Sequence, residues 1–172
     1  DVLVCNAGVG LYGAVAQLDA DQLAAVLMLN TVTPVRLVQL ALPHLSAARG
    51  SIVLVSSVAG VVTLPRMGGY AASKFALEAL ADTLRAELAA ERVPVHLLVA
   101  RPGITATPFA DNAHGDNLRV PRLLRRMVSM RASRVGEAIV SGVEEQKPEI
   151  DLSFSGRVLQ RITSVSRPIR WC

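Results

Sequence analysis

The 172-residue sequence predicts an α/β fold in which a doubly wound parallel sheet is flanked by helices, and two observations carry that expectation. Three strand-length apolar runs, "VLVC", "SIVLV" and "VHLLVA", alternate with two long helical segments, and parallel strands need a crossover helix between them. The runs are continuous rather than alternating, which is the pattern of strands covered on both faces of a parallel sheet.

Taken in order, "DVLVCNAG" reads as a first strand closed by Asn6 and Gly8. After a Gly-bearing loop, Asp19 followed by Gln22 resembles a capping box, so a helix is expected from there to about Leu45. "SIVLVSS" is the second strand. A loop holding Pro65, Gly68 and Gly69 then leads to a long helix from about Tyr70 to Glu91 and a third strand in "PVHLLVARPG". Residues 104–118 are polar, 119–131 resemble a basic helix, 134–146 a short amphipathic helix, and "PEIDLSF" a fourth strand near 149–154. With no repeat, low-complexity tract or linker, residues 1–172 read as a single partial domain, and 104–133 as a lid over a substrate.

Hydrophobic content of 51% suits one globular core, and no unbroken apolar run approaches the ~18 residues of a spanning segment. Cys5 and Cys172 lack metal-ligand spacing and point to a reducing compartment, so the expected location is cytoplasmic and no metal site is expected. His44, His96 and His114 show no paired spacing and read as structural or surface residues. The net charge of +4 is uneven: residues 116–172 hold 11 basic and 6 acidic groups, including six arginines between Arg119 and Arg134 without an aromatic. That run reads as a solvated lid helix, with contact to an anionic membrane surface as the alternative and no nucleic acid expected.

The chemistry gathers in "GGYAASKFALEAL". Tyr70 and Lys74 share a helical face, four residues apart, and Ser57 ends the preceding strand. Ligands of open α/β sheets bind at the carboxyl ends of strands, so a hydroxyl, a phenol and an ammonium converge where a substrate would sit. Asn30 lies mid-helix with Pro34 four residues on. Proline offers no N–H to the carbonyl at i−4, so a free acceptor and a local bend are expected at Asn30. Ser57 is not in G-x-S-x-G, which argues against a hydrolase of α/β type.

In order and spacing, "NAG" at 6–8, Asn30, Ser57, "YAASK" at 70–74 and "RPGITAT" at 101–107 resemble the classical short-chain dehydrogenase/reductase family. The resemblance is strongest over 1–108. It implies a Rossmann-type domain and hydride transfer between an alcohol or ketone and NAD or NADP. Tyr70 would be the acid/base, tuned by Lys74, since a free phenol with pKa about 10 is a weak base near neutrality. Ser57 would donate to the substrate oxygen, and Lys74 would also hold the nicotinamide ribose. The Asn30 carbonyl would continue a proton relay. Asn6 would tie neighbouring strands, while Ala7 and Gly8 would approach the adenosine side of the cofactor. Pro102 and Gly103 would form the turn that brings Thr105 and Thr107 to the nicotinamide amide or phosphates, the plain alternative for both threonines being a helix cap.

The sequence departs from this family in lacking a TGxxxGxG turn, so it corresponds to the C-terminal, catalytic part of such a domain. Two readings follow. One is an incomplete record of an active oxidoreductase acting on a small or lipophilic alcohol or carbonyl compound, and the other a truncated, non-catalytic product that only self-associates. A homo-oligomer through the 19–45 and 70–91 helices is expected in either case.

Overall fold

The computed structural model describes residues 1–116 and 129–152. Four parallel strands form the main sheet in the order β1 (Val2–Cys5), β3 (Ser51–Val55), β4 (His96–Arg101), β6 (Glu149–Asp151). A second, two-stranded parallel pair joins β2 (Leu11–Tyr12) to β5 (His114–Gly115). Helices α1 (Ala20–Leu27) and α2 (Thr33–Ala48) connect β2 to β3, α3 (Gly68–Ala90) connects β3 to β4, and α4 (Ala132–Glu144) precedes β6.

Period-two alternation sorts the strand side chains between two cores. Ile52, Leu54, Leu97 and Val99 pack with Val38, Leu45, Leu77, Ala81 and Leu88 on the α2/α3 side. Val53, Val55 and Leu98 pack with Ile139 and Val143 of α4 on the other. β3 and β4 are therefore covered on both faces, as continuous apolar runs require. β1 departs from that expectation. It stands at the edge of the sheet with Cys5 buried, but Val2 and Val4 are about half exposed, because nothing packs on their side among the described residues.

Asp19 caps α1 as expected, its carboxylate accepting from the backbone N–H groups of Asp21 and Gln22 at 2.8 and 3.0 Å. Between α1 and α2 the helix widens into a π turn at Met28–Val32, beside Pro34. The expected distortion at Asn30 thus takes the form of a π bulge. The helical path continues past Leu45 to Ala48 and stops at Arg49, which takes a left-handed conformation.

α3 begins two residues before the expected start. Gly68 and Gly69 form its first turn rather than a loop, and the reason is close approach: a Cβ on Gly69 would lie 2.7 Å from Leu11 and one on Gly68 2.8 Å from Val15. The basic helix expected over 119–131 falls largely outside the described residues. Its described end is not helical, since Met130 bridges to Thr105. The fourth strand ends at Asp151, and residues from 153 onward are likewise outside the described part.

Candidate active site

Because the main sheet is parallel, the segments leaving β1, β3 and β4 emerge at one edge. They carry Asn6–Gly8, Ser56–Ser57 and Pro102–Gly103, and the first two turns of α3 bring Tyr70, Ser73 and Lys74 to the same edge. Tyr70 is buried between two aromatic rings, with Tyr12 edge-on at 6.3 Å and Phe109 tilted at 5.5 Å between centroids. Ala59, Met67 and Ala113 complete an apolar wall around it. Ser57, whose backbone is extended at the end of β3, places its hydroxyl where it acts to lower the phenol's pKa, and its Oγ accepts from the Ala59 N–H at 3.1 Å.

Lys74 is 4% exposed, and its Nζ donates to the Val55 carbonyl at 2.9 Å. The ammonium lies 5.9 Å from the Tyr70 ring centroid. The sequence leads to the expectation that this charge, together with the positive ring of a bound oxidised nicotinamide, lowers the phenol's pKa. From the chain's own residues the phenol is pushed up to about 12: burial raises it most, the Ser57 hydroxyl lowers it, and Tyr12 raises it further. Burial also pushes the Lys74 amine down to about 8, opposed by the Glu78 carboxylate. Desolvation favours the neutral form of both groups, and at this depth it outweighs their mutual attraction.

Asn30 is fully buried and holds the site's frame through its side chain. Its Oδ1 accepts from the Val9 N–H, and its Nδ2 donates to the Val9 carbonyl and to Ser73 Oγ, each at 2.9 Å. Ser73 Oγ in turn donates to the Tyr70 carbonyl at 2.7 Å. Thr31 adds a third tie, donating to the Ser73 carbonyl at 2.9 Å. Asn30 thus ties the loop after β1 to α3. Asn6 and Ala7 are exposed, and no side-chain hydrogen bond joins Asn6 to a strand among the described residues. Gly8 does not need positive φ; a Cβ there would lie 3.1 Å from Asn30 Oδ1 and 3.6 Å from Lys74 Nζ, so the glycine keeps the backbone close to both.

At the third segment, the Pro102 carbonyl accepts from the Val58 N–H at 3.2 Å, linking the turn to the Ser57 loop. Thr105 Oγ1 donates to the Gly103 carbonyl at 3.1 Å, and Thr107 caps the short helical turn Pro108–Ala110 by accepting from the Phe109 N–H at 3.4 Å. Both hydroxyls thus have local partners, and the capping alternative describes Thr107.

Sequence reasoning missed Ser73, Tyr12 and the Arg101–Glu78 pair. Ser73 had one available signal, a polar residue three after Tyr70 on the buried side of the helix. Glu78 lies four after Lys74, and Arg101 is a charge closing an apolar strand.

Fold and site together define a parallel α/β protein with a buried phenol and amine beside a half-buried serine hydroxyl at the carboxyl edge of its sheet. The chain belongs to the short chain dehydrogenase family, whose profile it matches over residues 1–117. It is 41% identical over 118 residues to human 17-beta-hydroxysteroid dehydrogenase type 1, covering 67% of this chain and 35% of that protein. With rat dehydrogenase/reductase SDR family member 7B it shares 33% identity over 156 residues, covering 89% of this chain and 47% of that protein. Among solved structures, a short chain dehydrogenase/reductase from Burkholderia phymatum in complex with NAD superposes with a TM-score of 0.81 at 25% identity, covering 99% of this chain and 70% of that one. Other solved chains of this fold carry NADP or NADPH. The chain spans about a third to a half of the length of the curated relatives it matches.

Proposed function

We propose that the whole protein is an NAD(P)-dependent oxidoreductase that interconverts an alcohol and a carbonyl compound, with Tyr70 as its acid/base. The observation that carries this reading is the buried Tyr70 with the Lys74 ammonium 5.9 Å from its ring centroid and Ser57 at the end of β3, together at the carboxyl edge of a parallel sheet. The residues fit a dinucleotide: Gly8 leaves backbone open beside Lys74 Nζ, and the Pro102–Gly103 turn lies next to Ser57. The bound dinucleotide supplies the hydride acceptor or donor. The chain's own residues manage the proton.

In the reducing direction Tyr70 gives its phenolic proton to the substrate oxygen as hydride reaches the carbonyl carbon, leaving a tyrosinate that is reprotonated from solvent. Ser57 donates to the same oxygen and stabilises its developing charge. A phenol held at about 12 stays protonated at neutral pH, which suits it to proton donation and so to carbonyl reduction. Lys74 has N–H groups beyond the one given to Val55, and these would bind the nicotinamide ribose. Ala7, Thr105 and Thr107 would line the cofactor, with Asn30 and Ser73 holding the α3 turn in place.

The wall of Tyr12, Phe109, Met67 and Ala113 around the phenol supports a lipophilic substrate. Similarity to a hydroxysteroid dehydrogenase points the same way. A panel of ketones and alcohols assayed with both NADH/NAD and NADPH/NADP tests the reading; turnover confined to charged, sugar-like substrates would refute the lipophilic assignment. No turnover of any carbonyl or alcohol would refute the reaction class.

Self-association through α1/α2 and α3 is a second element of the proposal. Met28, Val32, Leu37, Leu40 and Leu80 are all more than 40% exposed on these helices. Such a spread of apolar surface favours a second copy of the chain as its cover.

A further inference from the structure

Beyond the Ser57, Tyr70 and Lys74 group, a second cluster of charge is buried in the described residues. Arg101, at the end of β4 and 4% exposed, grips Glu78 at two points, Nε to Oε1 at 2.9 Å and Nη2 to Oε2 at 2.7 Å. Its Nη1 reaches Glu149 at 2.9 Å and Asp151 at 3.6 Å, both on β6. Three carboxylates around one guanidinium leave the cluster net negative when all are ionised. Apolar residues of similar volume would fill such a site at no loss of stability, so packing alone does not explain a carboxylate there.

Its position relative to Lys74 does. Glu78 lies one helical turn beyond Lys74 on the same face of α3, and both are buried. Among the described residues no carboxylate pairs directly with Lys74, and its hydrogen bond goes to the Val55 carbonyl on β3. The other groups facing it are Tyr70 on its own helix, Tyr12 of β2 behind that ring, and neutral Asn30 of the π turn near Gly8. Arg101 of β4 meets Glu78, and the β6 carboxylates Glu149 and Asp151 meet Arg101. Cys5 of β1, a buried thiol, belongs to the core under α3.

We propose that Glu78, gripped by Arg101, is a positioning residue that holds Lys74 as an ammonium through space without occupying its N–H groups. The two-point grip explains the second half of that statement. A free glutamate one turn away would swing onto the ammonium and take the donors needed elsewhere, whereas one fixed by a guanidinium supplies negative potential from a set distance. Burial works against the charged form, and Glu78 is the group that opposes it. The inference rests on the proposed role of Lys74 only for its consequence in catalysis.

The ¹³Cε resonance of Lys74, identified in the whole protein by its loss in Lys74→Met, can be followed with pH without cofactor or turnover. Loss of a unit charge one helical turn away, partly offset by the Arg101 counter-charge and acting through an effective dielectric of about 20, corresponds to a shift on the order of one pH unit. Glu78→Gln, which keeps the shape and removes the charge, should lower the Lys74 midpoint by about that amount. Glu78→Asp, which keeps the charge and shortens the arm, should leave it nearly where it is. Where Glu78→Gln fails to fold because Arg101 is stranded, the comparison is made in an Arg101→Met background, where Glu78→Gln must lower the midpoint relative to Arg101→Met alone. An unmoved midpoint in the charge-removed variants, or an equal fall in Glu78→Asp, overturns the proposal. A midpoint that falls in Glu78→Gln while the alkaline limb of NAD(P)H binding stays fixed supports the proposal and instead rejects the role of Lys74 in holding the cofactor.

Discussion

Lys74→Met should make the protein more stable at neutral pH even as it removes function. Burial lowers the Lys74 amine from 10.5 to about 8, so folding at pH 7 holds a cation that the interior disfavours. At about 1.4 kcal/mol per unit of pKa, that gap costs about 3 kcal/mol. Between about 8 and 10.5 the unfolded chain keeps the proton and the folded one has shed it, so stability rises with pH across that window. The cost is complete below about 8 and gone above 10.5. Methionine removes it and also deletes the 2.9 Å bond to the Val55 carbonyl, a buried acceptor whose loss costs about 1–3 kcal/mol. A neutral amine makes that bond as well, so this second effect is the same at both ends of the window. The charge term is therefore isolated by difference. Urea unfolding of wild type and variant at pH 7 and pH 10 should show the variant's relative stability falling by about 2–3 kcal/mol as pH rises. A relative stability constant to within about 0.5 kcal/mol, on the same scale, would refute the claim that burial controls the charge of Lys74.

Four other outcomes follow from the same geometry. Tyr70→Phe should lower turnover by about 10²–10⁴-fold while leaving the fold intact, because its ring still packs on Tyr12 and Phe109; activity within a few fold of wild type would reject Tyr70 as the acid/base. The phenol is raised to about 12, so between 10 and 12 the folded state keeps a proton that the unfolded chain has lost. Stability should accordingly fall across that range more steeply in wild type than in Tyr70→Phe, which keeps only the raised Tyr12 phenol, and the rate of alcohol oxidation should climb with pH up to the limit of folding; a flat oxidation profile would contradict the raised phenol. Ser73→Ala strips Asn30 Nδ2 of one acceptor and frees the Tyr70 carbonyl, and should cost about 1–3 kcal/mol in denaturant unfolding along with part of kcat; an unchanged midpoint would show that the network does not frame the site. Leu40 is 74% exposed, so Leu40→Glu should shift sedimentation toward the monomer without touching the core, and an unaltered assembly would move the interface elsewhere.

The elements that could be read in the sequence are those whose cause is local. "SIVLV" and "HLLVA" are parallel strands because an unbroken apolar run needs two covered faces, and both cores supply them. Tyr70 and Lys74 were legible because helical spacing puts i and i+4 on one face, and Asn30 because Pro34 withholds an N–H. Gly68 and Gly69 misled, since glycine reports close approach as readily as a turn, and here Leu11 and Val15 lie against them. β2 and β5 have two residues each and exist only because the chain returns more than 100 residues later, a closure that no local pattern carries.

The same distinction governs the site. Asn30 and Ser73 are 43 residues apart, and Glu78 and Arg101 23, so each pair appears in the sequence only as an isolated polar residue on an apolar face. Desolvation is equally non-local. Spacing gave the distance between phenol and amine, and from distance alone the charge should have lowered the phenol. Depth depends on Tyr12 and Phe109 closing over Tyr70, and on the loop at Gly8 closing over Lys74; once both groups are buried, each is driven toward its neutral form. A buried carboxylate one turn beyond the lysine then becomes the means by which the fold keeps an ammonium where burial alone would discharge it, which is why Glu78 belongs with the site although it does not touch Tyr70 or Ser57.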